Sequence, residues 1–305
     1  MRRMESVKSV KRVTVLEALR LAETYLARRN VEGARLSAEH LLARRVGCSR
    51  LELYLRFDRE VAADALAAMR EDLRRRGEHY PLQYLIGEIE FVSLPFRVRD
   101  GVFIPRPETE LLVERIEELA GVREQAVFLE LGVGAGVVSG SLAARHPGWR
   151  GAAFDAAAAA VSCARENIRA LGAGDRVDLF VADSFDPVGG ERRFDILASN
   201  PPYVRSGDID VLAPEVSRWE TRAALDGGRD GTRFYPAIAA AARRLLRPGG
   251  LAAVEIGDGQ GDAVAAIFAA AGLDRIAVRR DYNRLERTVT AFAPEGDGRS
   301  WTASS

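Results

Sequence analysis

From Pro107 onward, short apolar runs alternate with segments of helical spacing, and no other feature of the chain constrains its fold as tightly. AVFLEL, GAAF, VDLFVA, FDILAS and LAAVEI are runs of the kind buried on both faces of a parallel sheet. VVSGSLAARH, AAAAVSCARENIRAL and FYPAIAAAARRLL separate most of them and have the length and spacing of helices. IAVRR and RTVTAF close the series, joined by a short polar loop. Parallel strands need crossover connections, so this order predicts a doubly wound α/β domain over residues 107–293. Its sheet should be mostly parallel, with a terminal antiparallel hairpin. Such sheets bind ligands outside the carboxyl ends of their strands, which is where chemistry should be sought.

The preceding residues differ in character. VLEALRLAETYLARR places Leu16, Leu19, Tyr25 and Leu26 near helical spacing, and ARLSAEHLLARRV and VAADALAAMREDLRRRG read the same way. Residues 13–80 are therefore expected to form a small helical bundle. From Pro81, YLIGEIEFVSLPFRVRDGVFIP alternates roughly in period two, interrupted by Gly87, Pro95 and Asp100-Gly101. Residues 81–106 read as a linking β-hairpin. Residues 1–12, basic but without the apolar core of a signal peptide, and residues 294–305 are expected to be flexible tails. A length of 305 residues accommodates this two-part plan.

Several function classes are disfavoured. Forty-four basic residues balance forty-four acidic ones, which argues against stable nucleic-acid binding through phosphates. No run of about eighteen apolar residues is present, so no membrane span is expected. Cys48 and Cys163 fit no metal or redox spacing, and three histidines form no ligand pattern, so no metal site is expected. A cytoplasmic monomer is the expected state.

Three constellations fall at strand ends. Glu130-Leu131-Gly132-Val133-Gly134-Ala135-Gly136 follows the first apolar run and precedes a helix. A dinucleotide fingerprint would need Gly or Ala three residues after Gly134, where this chain has Val137. The loop is either a ligand cradle of another kind or a tight strand–helix turn. Asp155 ends the next run, about twenty residues on, where an acid can accept from ribose hydroxyls. Asp183 and Ser184 end the third, with the alternative that such residues cap helices and turns. Asn200-Pro201-Pro202-Tyr203 ends the fourth. Two prolines stop any ladder and stiffen the segment. The Asn200 side-chain carbonyl and the Pro201 main-chain carbonyl can accept both hydrogens of a planar NH2 group, and Tyr203 can stack on its face. Arg106-Pro107-Glu108-Thr109-Glu110 either lines the entrance or caps the following helix.

Together these motifs resemble the peptide chain release factor N5-glutamine methyltransferases (HemK/PrmC). The similarity runs over about residues 14 to 293 and includes FIPRPETELLVE, QYLIGEIEF, LDGGRDGTRFYPAI and LRPGGLAAVEIGDGQG. It implies a Rossmann-like S-adenosylmethionine-dependent methyltransferase domain behind a bundle that docks the release factor. The implied reaction methylates the glutamine amide nitrogen in the Gly-Gly-Gln tip of class I release factors, leaving S-adenosylhomocysteine. By the same carry-over, residues 130 and 132–136, Asp155, Asp183 and Ser184, with Asn200, serve the methyl donor. Asn200 to Tyr203, with Arg106 and Glu110, hold the substrate. Departures are Glu130 where the family usually has Asp, alanines at 156–160 in place of polar residues, and Ser184 in place of an aromatic. Asn-Pro-Pro-Tyr also occurs in adenine-N6 methyltransferases. Another translation protein, such as a ribosomal protein, or a nucleic acid are therefore the alternative substrates.

Overall fold

The protein is described here from a computed structural model covering residues 12–190 and 193–295. The flexible tails expected at the termini lie outside these residues except for Arg12, Pro294 and Glu295. The chain divides into two compact units between Ile86 and Gly87.

The first unit is helical: α1 (Val15–Ala27), α2 (Ala34–Val46), α3 (Arg50–Tyr54), α4 (Ala63–Gly77) and α5 (Leu82–Ile86). Helix α1 starts at a reciprocal cap, in which Thr14 Oγ1 accepts from the Glu17 N–H and Glu17 accepts from the Thr14 N–H. Ser49 and Glu52 repeat the device at α3. Leu19, Leu26, Leu41, Leu42 and Leu53 form a fully buried core. Arg45 spans to Asp72 through two hydrogen bonds of 2.6 Å, joining α2 to α4. The expectation that residues 84–87 already belong to the ribbon is corrected. Pro81 opens a helical turn, with its carbonyl accepting from the Leu85 N–H, and Gly87 at φ +82° ends it.

In the second unit, β1 (Glu88–Phe91) and β2 (Leu94–Arg97) form the hairpin. It turns at Val92 and Ser93, both at positive φ, rather than at Asp100-Gly101. Next come α6 (Glu110–Ala120), β3 (Ala126–Leu131), α7 (Val137–Arg145), β4 (Trp149–Asp155), α8 (Ala158–Ala170), β5 (Val177–Val181) and β6 (Phe194–Ser199). The chain continues through α9 (Pro214–Trp219), α10 (Tyr235–Leu245), β7 (Leu246–Glu255), α11 (Gly261–Ala270), β8 (Asp274–Arg280) and β9 (Glu286–Phe292). The sheet order is β5-β4-β3-β6-β7-β9-β8, parallel from β5 to β7 and antiparallel at β9 and β8. This is the mostly parallel α/β sheet with a terminal antiparallel hairpin that the alternation predicts. Two apolar cores pack on it, one containing Leu112, Leu142 and Ile168 and the other Ile238, Leu245 and Phe268. The strand order reverses direction at β3, between β4 and β6, and so opens a crevice at their carboxyl ends.

Within the first of these cores, Gly151 of β4 lies under the Phe128 ring of β3. A Cβ there would stand 2.2 Å from Phe128 Cε2. Gly151→Val should therefore destabilise the domain by about 1–3 kcal/mol in urea unfolding. In a Phe128→Ala background the same change should cost measurably less, because the clash partner is gone. Additive losses would show that the ring is not what excludes a side chain at position 151.

Candidate active site

A cavity of about 420 Å³ opens at this crevice, a size usual for small-molecule sites. Glu130, Gly132, Val133, Gly134, Ala135, Asp155, Asp183, Asn200, Pro201, Pro202, Tyr203 and Arg106 of the sequence-derived set all line it. Gly136, Ser184 and Glu110 are not among the lining residues.

Each of those three has another visible task. Gly136 caps α7 at φ +82°, and a Cβ on it would stand 3.0 Å from the Ala164 Cα, so it sets how closely α7 meets α8. The Ser184 hydroxyl donates to Asp186 Oδ2 at 3.1 Å and accepts from the Asp186 N–H, a local turn. The Glu110 carboxylate accepts from the Val92 N–H at 2.7 Å and so holds the hairpin's left-handed turn. These placements favour packing and turn roles over the ligand contacts expected of them.

The glycine loop is held by its neighbours. Asp155 Oδ2 accepts from the Gly134 N–H at 3.0 Å, and Oδ1 from the Ala157 N–H at 2.9 Å. One carboxylate therefore fixes both the loop and the entry to α8, in place of a capping side chain that the alanines cannot offer. Glu130, fully buried at the end of β3, accepts from the N–H and hydroxyl of Ser139 in the first turns of α7. Burial raises its pKa to about 8, against the pull of those two donors.

Asn200 begins where β6 stops. Its Nδ2 donates to Thr109 Oγ1 at 3.0 Å. Asn200 Oδ1 and the Pro201 carbonyl make no hydrogen bond among the described residues. Two acceptors thus remain open at the cavity wall. The Tyr203 hydroxyl donates to Glu255 Oε1 at 3.1 Å, and its carbonyl accepts from Gln260 Nε2 at 3.0 Å. Val204 and Leu225–Asp226 form a parallel bridge, and Gly227 fits against Pro202 and Tyr203 where a Cβ would lie 2.8 Å from the Pro202 oxygen. The LDGGRDG segment therefore clamps the exit of Asn-Pro-Pro-Tyr. At the entrance Arg106 pairs with Glu220, whose side chain is 1% exposed and which burial pushes above the usual carboxylate range.

Glu220, Glu255 and Gln260 were not assigned roles from the sequence, and Thr109 was read only as part of the entrance segment. One signal was available for Glu255: like Glu130, it is an acid closing an apolar strand at its carboxyl end. The others depend on contacts 57 to 114 residues apart, which no local pattern reports.

Comparison with known proteins gives the chain a family. The PrmC N-terminal domain family model matches residues 17–87, and the Methyltransferase small domain model matches residues 96–216. A curated release factor glutamine methyltransferase from Geobacter sulfurreducens is 40% identical over 276 residues, covering 90% of this chain and 95% of that one. The chain belongs to the release factor glutamine methyltransferase family. The relative of that name from Moorella thermoacetica is also 40% identical, over 93% of this chain and 100% of its own. Among solved structures, the hMettl16 catalytic domain in complex with MAT2A 3'UTR hairpin 6 aligns at a TM-score of 0.55 with 15% identity, covering 67% of this chain and 77% of that one. That likeness is one of fold.

The family member's Glu130 leads to a pH test. Its folded pKa, about 8, lies above the ordinary 4.5, so the folded state holds the proton more tightly than the unfolded state. The stability this contributes is complete below about pH 4.5 and drains away as pH rises toward 8. Glu130→Gln has no such proton to lose. Its stability relative to the native chain should grow between pH 5 and pH 8.5 in denaturant titrations; a constant gap would contradict the assigned burial effect.

Proposed function

We propose that this chain transfers a methyl group from S-adenosylmethionine to the side-chain amide nitrogen of the glutamine in the Gly-Gly-Gln motif of class I release factors. S-adenosylhomocysteine is the other product. The observation that carries the reading is the pair of open acceptors, Asn200 Oδ1 and the Pro201 carbonyl, on a stiff segment at the cavity wall.

The lining fits the methyl donor. Gly132 and Gly134 leave backbone without side chains along one wall, Val133, Val137 and Val138 supply apolar surface, and Asp155 and Asp183 supply acceptors for hydroxyls and amines. When bound, the donor supplies a methyl group on a positively charged sulfur, a strong electrophile that needs no further activation.

The protein's task is placement. An amide nitrogen is a weak nucleophile because its lone pair is shared with the carbonyl. Acceptors on both of its hydrogens return electron density to nitrogen and fix the plane of the group. Asn200 and Pro201 provide those acceptors, and Tyr203, pinned by its hydroxyl to Glu255, offers a ring face for the planar amide. Holding the nitrogen in line within about 3–3.5 Å of the reacting carbon accounts for a large part of catalysis of this kind. The methylated nitrogen then releases one proton.

The N-terminal unit is assigned to docking of the release factor. The match to the PrmC N-terminal domain supports this, as do the exposed Leu21, Leu51 and Leu55. A cytoplasmic setting follows from the substrate class. Among the described residues no helix is long and apolar enough to cross a membrane.

The deciding assay follows labelled methyl into a purified release factor. Label is expected on the native factor and absent when its Gly-Gly-Gln glutamine is changed to alanine. Asn200→Ala should bind the donor normally in calorimetry while losing at least about 100-fold in kcat, the scale of a lost transition-state contact. Unchanged turnover would remove Asn200 from the reaction, and label on a different residue would overturn the substrate.

A further inference from the structure

The reaction just proposed requires one particular end of the Asn200 amide to face the substrate, and nothing within Asn200 decides which. The carbonyl end accepts from an NH2 group; the amide end would confront it with a second donor. The two arrangements have almost the same shape, so the choice must come from what surrounds the side chain.

The surroundings form a chain of polar groups behind the cavity wall. Asn200 Nδ2 donates to Thr109 Oγ1 at 3.0 Å. Thr109 is 1% exposed and stands beside the Glu255 carboxylate, where its hydroxyl favours the charged form of that acid. The Tyr203 hydroxyl donates to Glu255 Oε1 at 3.1 Å. Glu255 is 1% exposed at the end of β7, and its Oε2 has no hydrogen-bond partner of good geometry among the described residues. A buried acid so incompletely paired is costly to the fold, and replacing it with a neutral group is often neutral or stabilising. Its position links the two polar side chains of Asn-Pro-Pro-Tyr.

We propose that Glu255 and Thr109 are positioning residues: the Glu255 carboxylate accepts a hydrogen bond from the Thr109 hydroxyl beside it, which leaves the Thr109 oxygen to accept from Asn200 Nδ2 and so turns the Asn200 carbonyl toward the substrate. The same carboxylate accepts from the Tyr203 hydroxyl and fixes that ring. This inference rests on the glutamine reading for its meaning but makes its own claim about which way Asn200 points.

The groups facing Glu255 are Thr109 and Glu108 ahead of α6, Tyr203 after β6, Tyr235 on α10, whose hydroxyl donates to the Glu255 main-chain carbonyl, and Arg287 on β9. Burial is the largest influence and raises Glu255 to about 7, with Arg287 lowering it and Glu108 raising it. Below that pH the acid carries its own proton and can donate, so the hydroxyls are no longer held as donors. The constraint on Asn200 is lost on the acid side.

The test uses the full chain with a purified release factor. Glu255→Gln and the near-isosteric Thr109→Val should each lower kcat at least tenfold with donor affinity unchanged, and Glu255→Gln should melt no lower than the native chain. Thr109→Ser should recover most of what Thr109→Val loses. The native kcat should fall as pH drops through about 7, and Glu255→Gln should lack that fall. A readout independent of substrate is the Asn200 side-chain amide in nitrogen NMR, assigned by its loss in Asn200→Asp. It should be protected from exchange in the native chain and in Thr109→Ser, and exposed in Thr109→Val. If that protection survives Thr109→Val, or kcat is unaffected by both Glu255→Gln and Thr109→Val, the positioning role is wrong. If the native chain methylates no glutamine, the functional reading fails instead, and the amide readout still decides how Asn200 is held.

Discussion

The register between β3 and β6 is the constraint on which the site depends. Leu131 pairs with Ser199, and the Ser199 hydroxyl donates to the Leu131 carbonyl at 2.9 Å. Both strands therefore end at the same level. The next residue on one is Gly132 and on the other is Asn200, and a Cβ on Gly132 would lie 3.6 Å from the Asn200 carbonyl oxygen. A slip of one residue would turn every side chain of a strand to the opposite face and separate the two loops. Asp195 of β6, whose carboxylate accepts from the Val127 N–H of β3 and from Arg247, would lose both partners in such a slip. The crevice between diverging crossovers does the rest, because the chain leaves β3 toward one side of the sheet and β6 toward the other.

Much of this was readable from residues alone, and for identifiable reasons. Short apolar runs separated by helical spacing specify a parallel sheet because each run must be covered on both faces. Asn200-Pro201-Pro202-Tyr203 announces itself because two prolines cannot continue a ladder. The failures have equally definite causes. Residues 84–86 alternate like a strand, yet Pro81 and Gly87 bracket a single helical turn. Ser184 and Glu110 have the chemistry of ligand contacts but are captured by backbone N–H groups close by in space, at Asp186 and Val92. Thr109 and Glu255 acquire meaning only when α6, β6 and β7 are brought together, and hydrogen bonds between distant segments leave no trace in local spacing.

The acids at the strand ends divide into two kinds. Asp155 is half-buried and offers both oxygens to backbone N–H groups, so it organises loops. Glu130 and Glu255 are enclosed, and burial outweighs their donors. A sheet built for packing alone would place aliphatic residues there. The enclosed acids cost stability in a domain whose net stability is small, and they stand directly behind the glycine loop and the Asn-Pro-Pro-Tyr segment.

Asn167 has a consequence of a mechanical kind. From α8 its amide grips Arg97 of the hairpin on both sides, accepting from the N–H and donating to the carbonyl at 2.9 Å each, while also donating to the Ala135 carbonyl at 2.7 Å. One buried side chain thus rivets a solvent-facing ribbon to the floor of the glycine loop. The ribbon and the loop are thereby coupled like the handle and jaw of a single lever: force applied to the ribbon has a path to the loop through Asn167 that bypasses the chain between Arg97 and Ala135.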